Sequence, residues 1–548
     1  MITIEIPEDQ QVIPWVQALV GLIEGQVKTI QEQAKTIQEQ ATTVQVQAEQ
    51  ITQLKKAVQE LRDEIARLKK TPKRPKFRPG RTPPGNKPNK QNDQNQTNIA
   101  DAESVPIQKT KEEIVIKPVD LPEGSRFKGY ATYSVQELIL TPKDVVYKLE
   151  VWQAPDGAII RAALPPGIEG THFGSQLRAL IHGLYASGMT QPAVFQFVKS
   201  TGIEISEGQV HNILVGEAKN YEKESAAILS AGLQEAPYIR VDDTGAKHCY
   251  QSGYCTHIGG QYFAYYKTTP SKSRLNFLKL LSQGKEGYVI NDAFIWHLFE
   301  SGVEDDILNS FEAYKGKRYS GKKGLIRLIN AMGLRGKKLR LTCLEAGLVG
   351  FVQEKLKPGQ VLISDRAGQF NILNHADCWV HMERPLRKLV ASTRNIETEI
   401  GEVREAIWTL YEQVKEASIS QKGKEQVLKA YDALVAKKVV SPGVRAVLDA
   451  FQEHREGLLK ALDHPGLPLH NNDSERDIRG MVKFRNISGS TKSDEGMSFR
   501  DGLITLKQTC YRLGENFWGY LNRWFQRKPV DLAMRIRQSY QAAIAASP

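Results

Sequence analysis

Apolar positions recur by threes and fours from Ile23 through Val27, Ile30, Ala34, Ile37, Ala41, Val44, Ala48 and Ile51. Leu54, Val58, Leu61, Ile65 and Leu68 continue the stripe. The unit Lys-Thr-Ile-Gln-Glu-Gln-Ala fills 28–34 and recurs at once over 35–41. A sustained seven-residue repeat flanked by Gln, Glu and Lys predicts a coiled coil within residues 1–70, and with it at least a dimer. A single amphipathic helix lying on a globular domain would show the same stripe. The two successive three-residue steps at 48, 51 and 54 form a stammer, where the helices overwind. Beyond residue 70 the stripe stops. Pro, Gly, Asn, Gln and Lys dominate 71–107, which predicts a disordered linker, because such a segment buries too little surface to offset its ordering entropy.

Period-two patterning follows. Val145–Trp152 and Ala158–Arg161, separated by Asp156-Gly157, predict a small β unit within 108–168, without zinc ligands. Residues 169–234 predict three short helices, Leu177–Ala186, Gln191–Lys199 and Ser206–Val215, with Gly188 and Gly202 as stops and Ser206 as an N-cap. Their spacing resembles a helix-turn-helix, whose third helix enters a major groove, although three short helices also pack together for no such purpose. From 235 the chain predicts a meander of Tyr238–Asp242, Cys249–His257 and Gln261–Lys267, the last two joined at Gly259-Gly260. A mainly helical stretch (271–357), a fourth strand ending at Asp365, a fifth at Cys378–Met382, a second helical stretch (386–463) and a helix carrying Glu475 come next. That order is the order of an α/β ribonuclease-H-like core over 235–515, with the two helical stretches as insertions. A C-terminal helical tail spans 516–548.

The net charge is +12 and the pI about 9.2, which favours a polyanionic partner, nucleic acid before membrane surface. No run reaches the roughly 18 apolar residues of a membrane helix, and the N-terminus lacks a signal-peptide pattern. The five cysteines are scattered and odd in number, which points to a reducing compartment. Lys73, Arg74, Lys76 and Arg78 lie in a linker segment without acids, either a solvated tether or a phosphate contact whose affinity falls with salt.

Three acids carry the candidate chemistry. Asp242 and Asp365 end apolar runs, and Glu475 sits in Asn471-Asn472-Asp473-Ser474-Glu475-Arg476-Asp477-Ile478-Arg479. Two strand-end aspartates and a helical glutamate suit two hard divalent cations, which take oxygen ligands and stabilise the attacking and leaving oxygens of an in-line phosphoryl displacement. Each acid also has an ordinary reading. Asp243 competes with Asp242, since only one of two adjacent strand residues faces a site. Asp365 would serve as a helix N-cap, with Asp292 as its rival, and Glu475 would pair with Arg479. Arg476, Arg479, Lys483 and Arg485 recur on the Glu475 segment and would face phosphates or form a solvated face. His248, Cys249, Cys255 and His257 do not fit zinc, since they sit on paired strands with a six-residue cysteine step.

These motifs resemble a DDE transposase of the insertion-sequence-66 family. Asp242-Asp243-Thr244 is similar to that family's Asp-Glu-Thr, and Asp365-Arg366-Ala367-Gly368-Gln369-Phe370 to its Asp-Gly-Tyr-Ala-Gly-Tyr. Cys378-Trp379-Val380-His381 is similar to its Cys-Trp-Ala-His, followed by basic Arg384, Arg387 and Lys388. The Glu475 block matches Asn-Asn-x-x-Glu-Arg-x-x-Arg, and Gly489-Ser490 a later Gly-Ser. The resemblance covers about 170–515 and implies Asp242, Asp365 and Glu475 as catalytic ligands of two Mg2+ (or Mn2+) ions. It selects Asp242 over Asp243 and suggests Asp243, Trp379 and His381 as accessory residues. It further implies element ends and target DNA as partners, small companion proteins of the same element, and a bacterial, cytoplasmic, nucleoid-associated setting. Two features depart from the family: the basic stretch 271–340 is an enlargement, and Arg366 stands beside the second acid. Two alternatives stay open, a DNA-binding relative that does not cut and a ribonuclease-H-like nuclease without strand transfer.

Overall fold

Ile239 and Val241 alternate with Arg240 and Asp242 because this run is a strand with a different layer on each face. A computed structural model describes residues 21, 23, 25–28, 112–118, 121–365 and 367–546. The coiled-coil expectation falls almost wholly outside the described residues, as do Lys73, Arg74, Lys76, Arg78 and Arg366.

The expected small β unit contributes only a hairpin, β1 (Val151–Gln153) against β2 (Ile159–Arg161), exposed at every position. The three short helices form as expected, over Ser175–Ala186, Gln191–Ser200 and Glu207–Val215. Ser206 and Gln209 make a reciprocal capping box at the third. That helix carries no Lys or Arg of its own.

The central sheet is mixed. β3 (Tyr238–His248), β4 (Gln251–Gly259) and β5 (Ala264–Thr269) are antiparallel, while β8 (Val361–Ser364) runs parallel to β3 and β9 (His375–Asp377) parallel to β8. The order is β5-β4-β3-β8-β9. Parallel pairing of β3 with β8 demands a long crossover, which 271–357 supplies. That stretch is not purely helical, since β6 (Tyr288–Val289) pairs with β7 (Arg318–Tyr319).

The first strand runs past Asp242 to a tight turn at Cys249-Tyr250, both at positive φ (46° and 62°). The fifth strand is not Cys378–Met382: it ends at Asp377, and a helix covers Trp379–Lys388. Trp379, Met382, Glu383 and Leu386 bury one face of that helix, a spacing of threes and fours that so short a run could not reveal.

Two cores flank the sheet. Ile239, Val241 and Leu362 join the first, with helices from 175–235 and 274–353. The closing helices, Phe517–Phe525 and Leu532–Ala545, expected as a tail, belong to it through Tyr520, Leu521, Ile536 and Tyr540. Val361 and Ile363 join the second, with Trp379 and the helices of 394–462. Among the described residues no helix is long and apolar enough to cross a membrane.

Trp379 is fully buried, donates from Nε1 to Leu458 O at 2.9 Å, and meets Tyr411, Tyr431 and Phe451 edge-on. These contacts make it a packing residue of the second core. Trp379→Ala should therefore cost roughly 3–5 kcal/mol in chemical denaturation, while Trp379→Phe, which keeps a ring in place, should cost less.

Candidate active site

The register of β3 and β8 pairs Tyr238 with Val361, Ile239 with Leu362 and Arg240 with Ile363. Two residues beyond the last pair stand Asp242 on one strand and Asp365 on the other. Side chains alternate along a strand, so both acids share the face of Val361 and Ile363. Asp243 lies on the opposite face, where its Oδ2 accepts from Gln369 Nε2 at 2.7 Å.

The third acid arrives on the helix Asn472–Ser488, packed on β3 and β4. Its start is fastened by polar contacts. Asn471, fully buried, donates from Nδ2 to Val241 O at 2.7 Å, and its backbone N–H points at Cys378 Sγ at 3.2 Å. Asp473 pairs with Arg240 on β3. Ser474 Oγ is 2.6 Å from Nδ1 of His257, the β4 residue directly across from Asp242. Asp477 lies between His257 Nε2, at 3.3 Å, and Arg512. Burial alone would raise its pKa, but those two partners hold its carboxyl well below the ordinary range. Ser474, Ile478, Met481 and Phe484 form the buried face, and Glu475 stands beside it.

Burial first, then Asp365, with Glu475 and Asp243 adding, pushes the Asp242 carboxyl up to about 7, against one favourable contact, the Asp243 N–H on its Oδ1 at 2.8 Å. Asp365 Oδ1 accepts from Ala367 N at 3.1 Å. Glu475 Oε1 is 3.3 Å from both His381 Nε2 and Arg384 Nη2. Burial, and then Arg384, lowers the His381 pKa, so its ring is neutral at pH 7. Among the described residues no three His, Cys, Asp or Glu side chains already stand close enough to hold a metal. Glu475 is turned to His381 and Arg384, while Asp242 and Asp365 each take one local backbone N–H. The donor set nonetheless fits hard divalent cations, since it is all carboxylate oxygen and leaves mutual repulsion for a cation to relieve.

The remaining expected residues divide. Arg479 and Lys483 are exposed along the Glu475 helix. Arg476 pairs with Asp473, and Arg485 donates to Gly245 O at 2.6 Å, which ties it to β3. Glu475 engages His381 and Arg384, with no ion pair to Arg479 among the described contacts. Asp292 is exposed beside Lys315, away from the acid cluster. Sequence reading assigned no role to Arg384, His257 or Asn471 at the site. The signal for His257 lay in register, which is invisible until the strands are paired.

The family described as Transposase IS66 family matches residues 352–498. That segment holds Asp365, His381, Arg384 and Glu475 and begins after Asp242. Over 301 residues the chain is 35% identical to "Uncharacterized protein y4jO" of Sinorhizobium fredii (strain NBRC 101917 / NGR234), covering 54% of this chain and 93% of that protein. The chain belongs to the IS66 transposase family.

The raised Asp242 pKa has a consequence for stability. Between about 4 and 7 the unfolded chain has released this proton while the folded one keeps it, so the group's contribution falls as pH rises through that window. In chelator, Asp242→Asn should raise the melting temperature at pH 8 and leave it unchanged near pH 4. Thermal melts across that range check it.

Proposed function

We propose that the chain is a DDE transposase that binds element ends and carries out metal-dependent cleavage and strand transfer on DNA. The observation that carries this reading is the placement of Asp242 and Asp365 just beyond the last paired residues of two adjacent parallel strands, with the Glu475 helix packed on the first of them, in a member of a transposase family. The sheet order supports a ribonuclease-H-like core, because only the second strand of the sheet runs antiparallel to the other four.

Asp242, Asp365 and Glu475 would hold two Mg2+ or Mn2+ ions, whose chemistry when bound is to lower the pKa of a water and stabilise charge on the leaving 3′ oxygen. The chain's own part is positioning. The Asn471–Asp477 anchors keep the Glu475 backbone fixed against the sheet. His381, neutral, and Arg384 hold the Glu475 carboxylate until it turns to the strand ends. Arg479 and Lys483, one and two turns along the same helix, supply phosphate contacts. Pairing of two element ends calls for a dimer or larger assembly, which the heptad repeat would provide. The family resemblance adds the companion proteins and a bacterial, nucleoid-associated setting.

A DNA-binding relative that does not cut is the second reading, favoured by the engagement of Glu475 with Arg384 and His381. Labelled duplex carrying the element's own ends, incubated with Mg2+ or Mn2+, separates the two. Asp242→Asn, Asp365→Asn and Glu475→Gln should each lower nicking by roughly a hundredfold or more, the scale of losing a metal's charge stabilisation, while end binding persists. Tight binding without nicking by the wild type, companions included, would leave the second reading.

A further inference from the structure

We propose that the insertion between β5 and β8 is a DNA-backbone-binding lobe, with its contact surface on the exposed basic segment 315–340. This rests on the reading that the chain acts on DNA, and adds a surface that neither the acid cluster nor the Glu475 helix contains.

The charge is one-sided. Ten of the 26 residues from 315 to 340 are Lys or Arg and none is Asp or Glu, and all ten are exposed. Among the described residues only Lys315, with Asp292 and Glu312, and Arg318, with Glu354, sit on carboxylates. The second insertion, in the same protein, behaves oppositely. There Lys415, Lys424, Lys429, Lys437, Arg445 and Lys460 each have a carboxylate partner. Carboxylate partners are thus common among the basic residues of that insertion and rare among those of 315–340.

The local physics sharpens the contrast. The helices Lys322–Ala331 and Lys337–Gln353 both begin at a glycine that gives no side-chain cap, and neither has an acid in its first turn. Lys322, Lys323, Lys337 and Lys338 occupy those first turns instead. Cations at the positive end of a helix dipole, adjacent to like charge, oppose helix formation. A polyanion laid across them reverses the sign of that interaction. On the first helix Leu325 and Ile329 face the core while Lys322, Lys323 and Arg327 face out, a stripe running over a helix about 15 Å long, enough to cross successive phosphates.

The lobe is also coupled to the acids. Arg274 at its first helix donates to Gly368 O at 2.8 Å, and Phe277 meets Phe370 edge-on at 4.9 Å. Both partners lie in the loop that follows Asp365.

The test uses the full chain and a duplex without element ends. The triple variant Lys322→Gln, Lys323→Gln, Arg327→Gln should weaken binding on the order of tenfold and flatten the slope of log Kd against log salt by about 3, near 0.9 per lost phosphate contact. A matched triple variant, Lys424→Gln, Lys429→Gln, Lys437→Gln, loses the same charge and should keep both values near wild type. Unchanged melting temperatures for both would exclude misfolding. Equal effects of the two triples, or none from the first, would overturn the proposal while leaving the transposase reading intact. Wild-type protein that binds neither this duplex nor one with element ends would instead defeat the underlying DNA reading.

Discussion

The parallel pairing of β3 with β8 is the constraint on which the rest of this structure depends. It places both strands' carboxyl ends at one edge of the sheet and sets Asp242 beside Asp365. It also forces a long crossover, because parallel neighbours cannot be joined by a tight turn. The insertion from 271 to 357 satisfies that demand and brings its own core residues, among them Phe294, Phe311 and Leu325. Apolar packing on both faces holds the strands in register, and a slip by one residue would send each acid to the wrong face.

Two acids at one edge repel each other, and a third worsens the repulsion. The structure holds Glu475 there by anchoring its backbone rather than its carboxylate. Asn471 reaches the β3 backbone, Ser474 and Asp477 meet His257, and Asp473 and Asp477 take Arg240 and Arg512. These buried charges are matched with opposite charge, the condition under which burial is tolerated. The acids at the strand ends lack that match. Asp242 faces burial and three like charges, with a single backbone N–H on its carboxylate in return. A site with satisfied supports and an unsatisfied centre is suited to receive a cation.

Much of this is legible in the amino-acid sequence. The alternation around Ile239 and Val241, the apolar run ahead of Asp365, and the three helix bounds between 175 and 215 follow from period and stop signals. The Asn471–Arg479 block points to Glu475 through its resemblance to a family motif. Other features depend on distance in space. Register puts Asp242 on the face of Asp365 and Asp243 on the Gln369 side. Trp379 reads as a candidate through the Cys378-Trp379-Val380-His381 resemblance, and its side chain lies in the second core. His257 and Arg512 stand out only in space, where His257 meets Ser474 and Asp477, and Arg512 meets Asp477 and Gly260. The strand expected at Cys378–Met382 fails because a five-residue apolar run has too little length to show its period.

Asp242, Asp365 and Glu475 would together surround the site of both divalent cations. Iron(II) substituted for magnesium, with peroxide present, cleaves backbone near the bound ion, and mass spectrometry locates the cuts. The account predicts cuts in three places together: the end of β3 near Asp242, the loop after β8 near Asp365, and the first turn of the Glu475 helix. Excess magnesium should suppress all three. Cleavage at only one of these segments, or at unrelated positions that magnesium does not protect, would contradict it.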